Sequence, residues 1–312
     1  MTRILITGAS GLLGVNLALE AAKRYEVIGL VNTQSLHNPG FQTLHTDLLD
    51  LELIPMLIEE TMPDWVINCA ALTDLDTCER QPELAKRLNT ELPGRLAAET
   101  ARRNLRFLQV SSDAVFDGVK GDYREEDAPN PLSTYGRTKR LAELAVKAAH
   151  PQVLIVRPNI FGWSVSGTHS LAEFFFNNLS TGKPIQGFTD RQFCPLWVNH
   201  LAAIMLELME KNTRGLFHTV SSDALTKYEF GVAIANRFGL DAAMIKPTSS
   251  ESGDALAPRA LNLNLKTTNL TKELGRRPPS VAAGIEGLFQ QYVTGHRKQL
   301  RAMAGSPEAM KG

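Results

Sequence analysis

The chain opens on an apolar run, Ile4-Leu5-Ile6, which breaks at Gly8-Ala9-Ser10-Gly11-Leu12-Leu13-Gly14 and passes directly into a helical pattern over 12–23. Three glycines spaced by three between a buried strand and a helix narrow the possible folds sharply. The glycines allow a tight turn and close approach of a diphosphate. The helix start then offers unpaired N–H groups and the positive end of its dipole to that anion. A glycine triplet alone also fits a structural turn; the strand–turn–helix setting is what points to a dinucleotide.

The same rhythm continues. Short apolar runs at 27–31, 42–46, 65–68, 106–110 and 153–156 alternate with helical patterns at 51–60, 83–103 and 135–149. Strands apolar on both faces and separated by helices predict an α/β fold, a Rossmann-type doubly wound parallel sheet. After Pro158 the rhythm loosens. Helical patterns at 171–179, 228–238 and 282–292 and short strands near Ile185 and at 216–218 predict a smaller α/β substrate-binding lobe. The expected division is a dinucleotide-binding domain over 1–160, its sheet completed by later segments, and a lobe over 161–294. A loosely held tail of basic and small residues is expected over 295–312.

Composition removes several classes of function. Lys plus Arg equals Asp plus Glu at 33 each, so neither a nucleic acid nor a membrane surface is an expected partner. Three cysteines, Cys69, Cys78 and Cys194, cannot frame a chain of 312 residues with disulfides and read as reduced thiols of a cytoplasmic protein. The first apolar run is too short for a signal peptide, and no stretch is long enough for a membrane span. The seven histidines show no metal-ligand spacing, so no metal is expected.

Two further segments carry chemistry. Tyr135 and Lys139 stand at i and i+4 of a predicted helix, hence on one face. An ammonium beside a phenol lowers the phenol's pKa, which predicts Tyr135 as a proton donor or acceptor near neutral pH. Ser111-Ser112-Asp113 closes the fifth predicted strand, at the edge where open α/β sheets bind ligands. Ser112 is placed to hold a substrate carbonyl beside Tyr135. For Ser111, a strand-end hydrogen bond to backbone is the plainer reading.

Glycine turn, strand-end serine and Tyr-x-x-x-Lys, in this order and separation, resemble the extended short-chain dehydrogenase/reductases. The details are most similar to the dTDP-4-dehydrorhamnose reductase (RmlD-like) branch. Its Ser-Thr-Asp-Tyr-Val-Phe-Asp-Gly segment resembles 111–118, its Asn-x-Ala-Ala resembles 68–71, and its Val-Asn-x-x-x-Pro resembles 88–93. The likeness runs over 2–293 and is sharpest before Pro158. It implies an NAD(P)-dependent oxidoreductase that reduces a 4-keto nucleotide sugar, with Ser112, Tyr135 and Lys139 catalytic. For the dinucleotide it implies Gly8, Ser10, Gly11, Leu12, Leu13 and Gly14 around the diphosphate and Asn32, Asp47 and Leu48 at the adenosine. Cys69, Ala70, Ala71, Ser111, Tyr135, Lys139, Pro158, Asn159 and Ile160 would then follow the cofactor toward the nicotinamide. Asp113, Gln192 and Trp197 are the implied substrate contacts.

The chain also departs from the branch. Related 4,6-dehydratases carry Glu, and the reductases commonly Tyr, where this chain has Ala114; the missing acid argues against dehydration. Asn16 replaces a Glu that holds a dimer-bridging metal in some members, which again speaks against a metal; a homodimer remains the default expectation. Asn32 ends the second strand where NAD-preferring sites place an acid, which tilts the cofactor expectation from NAD(H) toward NADP(H). Two rivals share the pattern: a sugar-nucleotide epimerase that keeps its NAD bound, and a regulatory subunit like the β subunit of methionine adenosyltransferase.

Overall fold

A computed structural model describes residues 1–250 and 256–304. The first half runs β1 (Arg3–Thr7), α1 (Leu12–Ala21), β2 (Glu26–Val31), β3 (Gln42–His45), α2 (Ile54–Thr61), β4 (Trp65–Asn68), α3 (Leu75–Arg80), α4 (Pro82–Lys86), α5 (Leu92–Arg102), β5 (Arg106–Val110), α6 (Thr134–Ala149) and β6 (Leu154–Arg157). There follow β7 (Ile160–Phe161), α7 (Leu171–Ser180), β8 (Ile185–Phe188), β9 (Gln192–Phe193), β10 (Leu196–Trp197), α8 (Val198–Glu210) and β11 (Gly215–His218). The last elements are β12 (Leu225–Thr226), α9 (Lys227–Phe238), β13 (Ile245–Thr248), β14 (Asn262–Leu263), α10 (Thr268–Leu274), α11 (Val281–Val293) and α12 (His296–Met303).

Seven parallel strands in the order β3-β2-β1-β4-β5-β6-β11 form the central sheet. Helices cover both faces, which is why the inner strands are largely apolar; β3, at the sheet edge, is Gln-Thr-Leu-His and partly exposed. Ile4 and Ile6 pack with Leu13 and Leu17 of α1 and Leu201 and Met205 of α8 on one face. Leu5 packs with Ile54 of α2 and Leu96 of α5 on the other. The strand order reverses between β1 and β4, so the crevice beyond their C-terminal ends is the natural ligand site. The lobe has a separate aromatic core in which Phe161, Phe175, Phe193 and Phe230 meet. No helix among the described residues is long and apolar enough to cross a membrane.

Three expectations are corrected. The pattern over 83–103 is not one helix: α4 and α5 are joined by a π-helical turn, Arg87–Glu91. Pro93 has no N–H for the carbonyl of Asn89, and the Asn89 side chain bonds outward to both backbone groups of Leu72 and to the Thr138 hydroxyl. The strand at 216–218 is not in the lobe; as β11 it pairs with β6 at the sheet edge, and α8 packs against α1. Segments of the predicted lobe thus return to the dinucleotide-binding half. Finally, the predicted loose tail begins as α12, with Leu300 fully buried and the Met303 carbonyl accepting from His37 N–H at 2.8 Å. The remainder of that tail, 305–312, lies outside the described residues.

Candidate active site

The glycine turn is built as a cradle. Gly11 N–H donates to the Gly8 carbonyl at 3.0 Å, and α1 starts one residue later. Among the described residues no side chain caps that N-terminus, and its first turn holds no acid. Its N–H groups are therefore left for an anion. Gly14 is required by close approach: a Cβ there would lie 2.0 Å from the Gly8 carbonyl oxygen. Asn16, one turn on, donates to the carbonyls of Leu12 and Trp163 and ties α1 to the lobe. Across the crevice, the N–H groups of Cys69 and Ala70 are both held at 3.1 Å by the Thr7 hydroxyl, which brings the small residues Ala70 and Ala71 past the cradle. At the other end, Asn32 donates to the Asp47 carboxylate at 3.3 Å, beside the buried Leu48. An acid absent from the end of β2 in sequence is thus supplied there by the segment after β3.

The chemistry-bearing groups converge at the ends of β5 and β6. Ser112 accepts from Ala114 N–H at 3.1 Å and donates to Asp113 at 3.0 Å, and Asn159 donates to the other Asp113 oxygen at 2.5 Å. Tyr135 lies in the first turn of α6, which Ser133 caps through Gly136 N–H. Gly136 lets this turn press against the serine loop, since a Cβ there would lie 2.2 Å from the Ala114 carbonyl. Ser112, Asp113, Tyr135, Asn159, Ile160 and Gln192 all line one cleft of about 260 Å³. A hollow of about 350 Å³ at the opposite sheet edge contains none of these groups.

The electrostatics differ from the sequence expectation. Burial pushes the Tyr135 phenol above its ordinary value; the Ser112 hydroxyl opposes this, and the Asp113 carboxylate adds to it. Lys139 does not offset it. Its buried ammonium donates to the Val110 carbonyl at 2.7 Å, and burial brings its pKa down to about 8 against the charge of Glu143. Burial likewise raises Asp113, with Asn159, Ser112 and Lys227 pulling the other way.

Two implied contacts are engaged elsewhere. Ser111 gives its hydroxyl to Glu143 at 2.7 Å, so that side chain joins a buried polar network. Trp197 does not line the cleft. Pairing of β10 with β7 turns its ring onto Gly287 of α11, with its Cβ against Gly284, and edge-on to His200. Gln192 does face the cleft, accepting from Asn264 at 2.9 Å, while Cys194 is a buried thiol nearby.

Sequence reasoning missed a cationic group that also lines the cleft: Arg191, Lys227 and Arg259. Lys227 opens α9, where the helix dipole disfavours a cation. Burial and the two arginines bring it down to about 8, while Asp113 holds it up. Arg191 lies 5.0 Å from the Phe188 ring centre. Lys227 and Arg259 also border an adjoining groove of about 460 Å³ with Phe174 and Phe188. A cation at the wrong helix end was the available sequence signal for Lys227; the two arginines lie in separate segments that meet it only in the fold.

Behind the cleft, His218 is wholly buried between Arg157 Nη1 at 3.3 Å and the Lys266 carbonyl at 3.2 Å. Burial, then Arg157, pushes its pKa down to about 3. Between about 3 and the ordinary value of 6.5 the unfolded chain binds more protons at this residue, so stability falls as pH drops through that window. The slope from one such residue is at most about 1.4 kcal/mol per pH unit. Urea unfolding at stepped pH is expected to show the loss, and His218→Gln to flatten it; an unchanged slope in the variant would refute the assignment.

The RmlD substrate binding domain family model matches residues 1–294. A probable low-salt glycan biosynthesis reductase of Haloferax volcanii is 35% identical over 92% of this chain and 98% of its own. The β subunit of methionine adenosyltransferase 2 from Xenopus tropicalis is 33% identical over 89% of this chain and 84% of its own. Among solved structures, a hypothetical dTDP-4-dehydrorhamnose reductase from Sulfolobus tokodaii superposes with a TM-score of 0.81 at 30% identity, over 91% of this chain and 99% of its own. With a seven-stranded parallel sheet, a glycine cradle at its switch point and a serine–tyrosine–lysine corner at its C-terminal edge, the chain belongs to the RmlD substrate-binding domain family of extended short-chain dehydrogenase/reductases.

Proposed function

We propose that the protein is an NAD(P)H-dependent reductase of a keto group, at the 4-position, on a nucleotide-linked sugar. One observation carries the reading: the same cleft is lined by proton-handling groups, Ser112 and Tyr135, and by a cationic group, Arg191, Lys227 and Arg259. The first suits a carbonyl becoming an alkoxide; the second suits the diphosphate of an activated sugar. The dinucleotide fits the cradle between Gly8, Gly14 and the start of α1, where a Cβ would collide and no acid repels phosphate. When bound it supplies the hydride. Ser112 orients the carbonyl oxygen, and Tyr135 gives it a proton from a phenol that stays protonated at neutral pH. Lys139 holds the β5 end through Val110 and stands ready for the nicotinamide ribose.

NADPH and NADH oxidation, followed by absorbance against a panel of nucleotide-linked 4-keto sugars, tests this. Asp47 beside Asn32 works against a 2′-phosphate, so the ratio of the two rates reads the adenosine end directly. Oxidation dependent on one sugar is expected, with KM for that sugar raised tenfold or more by Lys227→Met, as about 1.4 kcal/mol per decade implies for a charge-assisted bond. No oxidation with any sugar, by protein that binds the dinucleotide, would overturn the reading. Dinucleotide retained through gel filtration would then point to an epimerase, and a stable protein partner to a regulatory subunit.

A further inference from the structure

Behind the cleft lies a carboxylate that the proposed chemistry does not use. Glu143 is fully buried one helical turn beyond Lys139 on α6. Its Oε1 accepts from the Ser111 hydroxyl and from Arg157 Nε, both at 2.7 Å. Its Oε2 accepts from Arg157 Nη2 at 2.7 Å and from Arg140 at 3.0 Å. Lys139 and Glu143 thus grip consecutive residues at the end of β5: Lys139 the carbonyl of Val110, Glu143 the hydroxyl of Ser111. Ser112 follows immediately. The connection closes on itself, because Arg157 ends β6, Asn159 two residues later holds Asp113, and Asp113 accepts from Ser112.

We infer that Glu143 is a positioning residue of this site, which locks the helix bearing Tyr135 and Lys139 to the Ser112 loop and supplies the negative charge facing the buried Lys139 ammonium. Two functions meet in one carboxylate. A two-point grip fixes the register of α6 against β5, so Ser112 and Tyr135 meet the same carbonyl. The charge also opposes the burial that would otherwise strip Lys139 of its proton. Besides Glu143, the group that faces Lys139 electrostatically is the Cys69 thiol at the end of β4. Glu143 itself faces Arg157 of β6, Arg140 on its own helix and the Ser111 hydroxyl, which together hold its carboxyl below the ordinary range although burial works the other way. Lys147, a turn further along α6, also feels its charge. The role assigned to Glu143 rests on the reductase reading for its catalytic consequence, though not for its effect on Lys139.

The test is the titration of Lys139 by NMR on protein labelled at the lysine side chain, with Lys139→Arg to assign the signal and no substrate present. In Glu143→Gln the midpoint is expected to fall by about one pH unit, a tenfold easier deprotonation. On a keto sugar that the wild type reduces, kcat is expected to fall with KM within about twofold, since orientation and proton balance are lost while the sugar contacts stay. The alkaline limb of the rate profile should move to lower pH with Lys139, and Glu143→Asp should recover part of both. A wild-type midpoint in folded Glu143→Gln overturns the proposal whatever the substrate. A shifted midpoint in a protein whose wild type reduces no keto sugar overturns the substrate reading alone. Should Glu143→Gln fail to fold, the paired variant Glu143→Leu with Arg157→Met, which removes both members of the buried ion pair, is titrated with the same expectation and the same refuting result.

Discussion

Tyr135→Phe is expected to lower kcat for keto-sugar reduction by a factor of about 10²–10⁴ while leaving the fold and the KM for sugar nearly unchanged, because only a hydroxyl oxygen is removed. That range corresponds to about 2.7–5.5 kcal/mol of the barrier. The direction of the phenol's shift sharpens the prediction. Burial keeps Tyr135 protonated well above neutral pH, so the reductive direction, which consumes the phenol's proton, should hold its rate through the neutral range. The reverse oxidation needs the phenolate and should climb with pH. Lys139 will lower the phenol only if its ammonium turns from Val110 toward Tyr135 when the site is filled, a change that would show as a lower alkaline limb in the bound complex than in the free protein. A loss of less than tenfold in Tyr135→Phe would remove Tyr135 from the proton-transfer step.

The second large effect concerns stability. Arg157 and Glu143 are almost wholly buried, joined by two bonds of 2.7 Å, and the guanidinium lies 4.9 Å from the Phe116 ring centre. Arg157→Met leaves the carboxylate buried with only Ser111 and the partly exposed Arg140 as hydrogen-bond partners. A broken buried pair typically costs about 3–5 kcal/mol, whereas replacing both members by apolar residues can be close to neutral. Urea denaturation should therefore show a large drop in midpoint for Arg157→Met with an unchanged slope, and most of it restored when Glu143→Leu is added. A single-variant loss under about 1 kcal/mol would mean that Arg140 alone suffices for Glu143.

How much of this was legible in sequence depends on how local each feature is. Strands β1, β2, β4, β5 and β6 announce themselves because both faces of the sheet are covered there, leaving little polar alternation to confuse the pattern. Gly14 and Tyr135/Lys139 are legible because their constraints act within one or two helical turns. The interruption at Arg87–Glu91 is set by bonds from Asn89 to Leu72 and Thr138, partners that a periodicity cannot see. Residues 215–218 look like any short strand; only their parallel register with β6 makes them a sheet edge. Trp197 was placed by likeness to a loop, but a two-residue strand pair decides which way it points. Of the residues now most informative about the substrate, Arg191, Lys227 and Arg259 lie in three segments that meet only in the folded chain.

The docking of α12 has a consequence for the loop after β2. His37, in the loop that follows the Asn32 end of β2, is tied to Met303. Leu36 of that loop packs in the same core as Leu300, with Met303 against it. Two segments far apart in sequence thus fasten one loop at the Asn32 end of β2. The order of that loop therefore depends on a helix docked from the far end of the described residues, so whatever loosens α12 would loosen the Asn32 end of β2 as well.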